Sequence, residues 1–377
     1  MHKQYRIRDY DIKLVIMVIA LNVIGVMAIG SAKESVQSKQ LLGLIAGAFI
    51  MVVISFLDYN VLLKLYWIMY IGNLALLIMV KLPIFGKEAG GAQRWLNIFG
   101  FQFQPSESAK IILILFFAQF IMLNKEYLNT FKYIMLCIIL LAPPLLLIYL
   151  QPDMSTSIMV MIIFCVVMFV GGVSYKLVGG ILAVAIPAVA TVFFLILQPV
   201  ENNILIDMGM IKPYHRLRVL AWLHPEDYAN TIAYQQMNSM IAVGSGQLMG
   251  KGYKTNVISS VKNGNFISEP QTDFIFAVIG EEFGFVGCCT VIGLLVLIVL
   301  ECFSIARKAK NLAGTIIASG VAALIGFQGF MNISVATGLL PNTGIPLPLV
   351  SYGLTSLLSV YIGIGFVLNV RLHGKKY

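Results

Sequence analysis

Residues 14–32, LVIMVIALNVIGVMAIGSA, run for nineteen positions without a charged side chain. A helix needs about 20 mainly apolar residues to cross the ~30 Å hydrocarbon core of a bilayer, so this stretch reads as a membrane crossing. A basic lead (Lys3, Arg6, Arg8, Lys13) and a small-residue end give it the outline of a cleaved signal. It exceeds the ~7–15 apolar residues of a signal core, however, and is expected to stay as a first helix.

Runs of the same kind recur near 12–31, 40–57, 62–82, 105–123, 131–150, 154–170, 175–197, 284–304, 312–337 and 350–370. The expected fold is therefore all-α: a polytopic membrane protein of about ten transmembrane helices forming a single domain over 1–377. A large, partly helical extracellular loop is expected at 198–272, where apolar patterning around Val219–Leu223 and Met237–Val243 argues for order. Composition agrees, with 59% hydrophobic and 11% charged residues against roughly 25% charged in soluble domains. The five cysteines all lie in apolar runs, and the four histidines lack metal-ligand spacing, so no metal site is expected from them.

Lysine and arginine near helix ends are retained on the cytoplasmic side. With the N-terminus inside, the cytoplasmic segments hold fourteen such residues and the short outer loops five, which places both termini in the cytoplasm. The formal charge of +9 is then orientation signal and attraction to anionic membrane lipid. No basic patch interleaved with aromatics supports a nucleic-acid partner.

Ionisable side chains in or beside such helices are costly and mark candidate sites. Glu107 and Lys110 sit three apart on one helix face, either as a structural ion pair or as part of a site. Asp153 follows Pro152 where a helix should start, and suits an N-cap, a substrate contact, or both. Asp273 opens the run FIFAVI at the end of the long loop, where Thr272 is a candidate cap. Capping and general-base chemistry are equally open to Asp273. Glu281 and Glu282 read as interfacial charges at headgroup level. Trp95 beside Arg94 suits an aromatic interfacial anchor or a phosphate or sugar contact. The proline- and glycine-rich stretch 337–353 cannot be regular helix, and such backbone at membrane depth is expected to line a cavity.

Several separated motifs agree on one family. GAQRW (91–95), FQFQPSESAKI (101–111), LQPDMSTS (150–157), RLRVLAWLHPE (216–226), YQQMNSMIAVGSGQLMGKG (234–252), EPQTDFIFAVIGEEFGFVG (269–287) and TGLLPNTGIPLPLVSYG (337–353) together resemble the SEDS proteins of bacteria: shape, elongation, division and sporulation. The GIPLP form of the last motif is more similar to the rod-shape branch than to the division branch. The resemblance implies an inverting peptidoglycan glycosyltransferase that polymerises lipid II at the outer face of the cell membrane. Carried over by motif, it makes Asp273 the essential carboxylate and matches Glu107, Lys110, Asp153 and Trp95 to the family's other site positions. Two departures stand out: Gln271 replaces the histidine of HTDFIF, and GLTS replaces the usual GGSS after SerTyr.

The chemistry asks for the same residue types. Transfer from a lipid diphosphate needs a base for the acceptor hydroxyl and positive charge for the departing diphosphate. Asp273 fits the first role; Arg94, Arg218 and Lys251, all in outer loops, are candidates for diphosphate or acceptor contacts. With no acidic cage in the sequence, any Mg2+ or Mn2+ is expected to ride on the substrate's phosphates. The resemblance also implies a class B penicillin-binding protein and the MreC/MreD/MreB elongation complex as partners. A lipid-precursor flippase and a non-enzymatic scaffold are the competing classes, the first disfavoured by the lack of an evident internal repeat.

Overall fold

The computed structural model describes residues 10–82, 86–89, 92–98, 101–198, 213–255, 260, 263–264 and 266–374. The expected helices are present. They are α1 (Ile12–Ala32), α2 (Glu34–Phe56), α3 (Tyr59–Leu63), α4 (Tyr66–Met79), α5 (Pro105–Leu123), α6 (Phe131–Tyr149), α7 (Met154–Gly171) and α8 (Tyr175–Leu197). After the long connection come α9 (Pro213–Leu223), α10 (Tyr234–Ser245), α11 (Ile275–Arg307), α12 (Leu312–Ala336) and α13 (Leu354–Leu372). Among the described residues, eight of these are long and apolar enough to cross a membrane by length and composition, and the chain is a multi-pass membrane protein.

Local chemistry sets several boundaries. Asp11 accepts from Leu14 N at 3.2 Å to start α1, and Asn311 accepts from Gly314 N at 2.9 Å to start α12. Pro105 opens α5, where its missing N–H costs nothing. Gly172, at φ 107°, closes α7 in the left-handed region that glycine enters freely.

Two elements differ from the sequence expectation. The crossing expected over 62–82 is split: Asp58 caps the short α3 through Asn60 N at 3.0 Å, and the chain turns at Lys64–Leu65 before α4. The polar stretch between α4 and α5 forms a small antiparallel sheet, β1 (Gly86–Ala89), β2 (Ala92–Ile98) and β3 (Phe101–Phe103).

In the membrane-crossing windows of α5, α12 and α13, 72%, 78% and 72% of residues are buried, against 28% for α2 and α11. The first three therefore form the interior. The others turn apolar side chains such as Ile16, Phe49 and Phe303 outward, as a lipid-facing surface requires.

Helix α11 is broken at Gly284 (φ 64°, ψ −159°) into a short half, 275–283, and the crossing beyond it. A broken helix leaves carbonyls at one end and amides at the other without partners. Segment 247–252 supplies both. Lys251 N and Gly252 N donate to Glu281 O (2.9 Å) and Glu282 O (3.0 Å), while Phe285 N and Val286 N donate to Gln247 O (2.8 Å) and Leu248 O (3.2 Å). The approach is so close that a Cβ on residue 284 would lie 2.4 Å from Gly250 N. Gly284→Ala is expected to lose about 1–3 kcal/mol from the backbone conformation alone, a region open essentially to glycine, with the clash added. The measurement is a thermal unfolding scan in detergent. Gly293→Ala, inside the helix where the added methyl meets nothing within 4 Å, should melt at or above the parent temperature, since alanine is the better helix former.

Candidate functional site

The site forms where the irregular segment 337–353 folds back over the end of α12. Its two ends are held by backbone bonds, and its middle, residues 342–347, by side chains. Asn332 Nδ2 donates to Ile345 O at 2.7 Å, Gln328 Nε2 to Pro346 O at 3.0 Å, and Leu347 N donates to Ser351 Oγ at 2.8 Å. Helices α9 and α10 of the long connection pack onto the start of this segment. Trp222 Nε1 donates to Gly338 O at 2.9 Å, Gln236 Nε2 to Leu340 O at 2.7 Å and Ser239 Oγ to Ala336 O at 2.8 Å.

Asp273 lies against this segment. Its backbone carbonyl accepts from Asn332 Nδ2 at 2.7 Å, and its neighbours are tied in by Ser351 Oγ donating to Thr272 O at 2.5 Å and Tyr352 N to Gln271 O at 2.8 Å. Its carboxyl faces bare backbone: a Cβ built on Gly344 (φ 71°) would stand 3.4 Å from Oδ2. Helix α11 begins at Ile275 with Phe274 at the cap position and no side-chain cap bond. Thr272 Oγ1 turns instead to Glu269 O at 2.9 Å. Neither residue caps the helix, so the capping role left open for Asp273 by the sequence is removed.

Burial raises the Asp273 carboxyl to about 6; the Arg218 guanidinium pulls it down, Glu269 pushes it up and Arg94 pulls it down more weakly. Arg218 is fixed by donating to Asn342 O at 2.9 Å and by stacking 4.4 Å over the Tyr214 ring. Arg94, in β2, donates to Gln151 O at 3.1 Å and to Pro152 O. Both arginines expected from the sequence thus reach the Asp273 carboxyl electrostatically, and Arg94 also fixes the turn before Asp153.

Asp153 caps α7 through Thr156 N at 3.1 Å. Its second oxygen accepts from Gln104 Nε2 and Ser106 Oγ, each at 3.3 Å. The cap is therefore real, and it binds the α6–α7 turn to the start of α5. Glu107 and Lys110 form a 2.8 Å ion pair, both buried, and Lys110 Nζ also donates to Gln328 Oε1 at 3.0 Å. Trp95 is half-buried in β2, across from Lys87 in the strand register.

The structure gives Lys251 a partner and corrects the reading of Glu281 and Glu282. Lys251, a candidate for diphosphate or acceptor contact from its loop position, is paired at 2.7 Å with Glu281 while its side chain stays partly exposed. Glu281 and Glu282 are not headgroup-level charges but buried ones, Glu282 accepting from Ser31 Oγ at 2.5 Å. The physical reason is the break at Gly284, which turns this stretch inward against segment 247–252. A separate apolar crevice lies between α5, α6 and α7, lined by Leu113, Phe117, Leu141, Val160, Ile163 and Phe164, with Lys110 also on its wall. Sequence reasoning missed Glu269, Gln328, Asn332 and Ser351. Gln328, Asn332 and Ser351 are signalled locally only by a polar side chain among apolar ones, and Glu269 is one of several polar residues before α11.

The family model for the cell cycle proteins FtsW, RodA and SpoVE matches residues 10–376. The peptidoglycan glycosyltransferase MrdB of Escherichia coli is 33% identical over 369 residues, covering 97% of this chain and 94% of the relative. A probable peptidoglycan glycosyltransferase FtsW of a Geobacter species is 30% identical over 388 residues, covering 98% and 99%. Among solved structures, a chain described in work on the coordination of polymerization and crosslinking by a peptidoglycan synthase complex superposes with a TM-score of 0.77 at 30% identity, covering 96% and 97%. The rod shape determining protein RodA of Thermus thermophilus gives 0.67 at 28% identity, covering 96% of each chain.

Proposed function

Because the chain belongs to the FtsW, RodA and SpoVE family of cell cycle proteins, its site is that of a peptidoglycan glycosyltransferase, and we propose that it polymerises lipid II with Asp273 as the general base. The carboxylate takes the proton from the 4-hydroxyl of the acceptor's N-acetylglucosamine as that oxygen attacks the anomeric carbon of the donor's N-acetylmuramic acid. The bond to the diphosphate breaks, its electron pair leaves with the undecaprenyl diphosphate, and inversion gives a β-1,4 link. The charges of Arg218 and Arg94 stabilise the departing diphosphate. Among the described residues no three His, Cys, Asp or Glu side chains gather as a cation cage, so Mg2+ or Mn2+ would be held by diphosphate oxygens and neutralise them.

The observation that carries this reading is the Asp273 carboxyl itself. It is relieved of any capping duty, set against the bare backbone of Gly344, and raised by burial to about 6 between two arginines and a glutamate. A general base works best with its pKa near the operating pH. The charge bias of fourteen to five supports an orientation with both termini cytoplasmic and Asp273 at the outer face. Residues 198–272 then form an outer loop of a single unit, with α9 and α10 roofing the site. The likeness to a synthase-complex chain supports a class B penicillin-binding transpeptidase as partner. Family resemblance extends this to the MreC, MreD and MreB elongation complex.

The test is the pH dependence of kcat/KM for lipid II, which reports the free enzyme's base. Activity should fall as pH drops through about 6. Removing the charge that raises the carboxyl, Glu269→Gln, should move that midpoint to lower pH. Removing the one that lowers it most, Arg218→Gln, should move it to higher pH. A midpoint indifferent to both substitutions would contradict the assignment.

A further inference from the structure

Two carboxamides stand one helical turn apart on one face of α12, a membrane-crossing helix. Gln328 is 0% exposed and Asn332 1%. Polar side chains at this depth carry a desolvation cost unless they are bonded, and each here makes bonds in two directions. Gln328 Oε1 accepts from Lys110 Nζ at 3.0 Å while its Nε2 donates to Pro346 O at 3.0 Å. Asn332 Nδ2 donates to Ile345 O and to Asp273 O, both at 2.7 Å. The two amides therefore hold consecutive carbonyls, 345 and 346, of the irregular segment whose Gly344 abuts the Asp273 carboxyl. On their other sides they reach the Glu107–Lys110 pair and the backbone of Asp273.

A carboxamide is the side-chain group that can accept from an ammonium and donate to a carbonyl at the same time. An ionised carboxylate at 328 would keep the contact with Lys110 but lose the donor to Pro346 O. An apolar residue there would lose both. Segment 341–348 contains three prolines and no regular backbone ladder, so its placement depends on such side-chain bonds. We propose that Gln328 and Asn332 are positioning residues that couple the buried Glu107–Lys110 pair to Asp273 through the backbone of residues 345–346. The ion pair then acts on the reaction by fixing where Asp273 stands relative to Gly344.

The inference rests on Asp273 being the base of lipid II polymerisation, and the experiment separates the two. The full chain is purified as wild type, Asn332→Ala, Gln328→Glu, Gln328→Met and Lys110→Met. Lipid II polymerisation is measured for kcat, KM and the pH midpoint of kcat/KM, alongside thermal unfolding. A misplacement of about 1 Å costs on the order of 100-fold in rate. Asn332→Ala and Gln328→Glu should therefore lower kcat at least tenfold with KM within about twofold of wild type, and should move the pH midpoint. Gln328→Met, close in volume, should behave as Gln328→Glu does and covers the case in which Asn332→Ala fails to fold. Combining Lys110→Met with Asn332→Ala should give losses of melting temperature smaller than the sum of the single losses. Neither amide touches lipid II in this account, so a rise in KM alone would overturn it. So would wild-type kcat and pH midpoint in folded variants, or strictly additive melting losses. A wild type that cannot polymerise lipid II would sink the functional reading instead, while the melting-temperature cycle would still judge the coupling.

Discussion

Asparagine in place of Asp273 is expected to cut lipid II polymerisation by about 10²- to 10⁴-fold, the usual contribution of a positioned base, while leaving the fold intact. The separation of the two effects follows from the geometry. The bonds that hold this residue in place use its backbone carbonyl, which accepts from Asn332, and its neighbours' carbonyls, which accept from Ser351 and Tyr352. Its side chain caps nothing, since α11 begins without a side-chain cap bond. Asparagine keeps the shape beside Gly344 and removes only the capacity to take a proton. Burial disfavours the ionised carboxylate, as its rise to about 6 records, so the neutral amide should unfold at the same temperature as the parent or slightly higher. Single-turnover rates with saturating lipid II, set beside a melting curve, check both halves. A variant that melts normally and still polymerises at wild-type rate would remove Asp273 from the chemistry.

Breaking the Glu107–Lys110 pair from one side is expected to be the largest stability loss in the molecule. Both groups are buried and stand 2.8 Å apart, so Glu107→Gln strands an ammonium and Lys110→Met strands a carboxylate. Leaving one buried charge uncompensated costs about 3–5 kcal/mol. Replacing both together removes the stranded charge, and the double variant should recover much of the melting temperature lost by either single one. Activity need not follow. If the pair also orders the backbone at residues 345–346, the double variant will be stable and still slow. Recovery of stability and rate together would make the pair purely structural.

The crossings were legible because an apolar run of helical length has few other uses. The expected spans 105–123 and 175–197 coincide with α5 and α8. Asp153 was legible as a cap because proline, carboxylate and a following apolar run are all local. The departures come from partners far away in the chain. A crossing read as starting at residue 284 is preceded by a half-helix from 275, because segment 247–252 satisfies the groups freed at Gly284. The same segment takes Lys251 to Glu281 and out of the set of charges at Asp273. In the sequence Gln328 and Asn332 stand singly among the mostly apolar residues of one crossing. Their meaning appears only when segment 337–353 folds back onto them. The sheet between α4 and α5 pairs short, mixed-polarity strands whose periodicity is too brief to stand out.

This chain alone is expected to join lipid II units at the end of the bundle where Asp273 lies. The direct measurement is to reconstitute the purified chain in vesicles, supply fluorescent lipid II, and separate the products before and after muramidase digestion. The wild type should give a ladder of muramidase-sensitive β-1,4 glycan strands, and Asp273→Asn none above background. Lipid II left unjoined by the wild type, or the same ladder from both proteins, would contradict it.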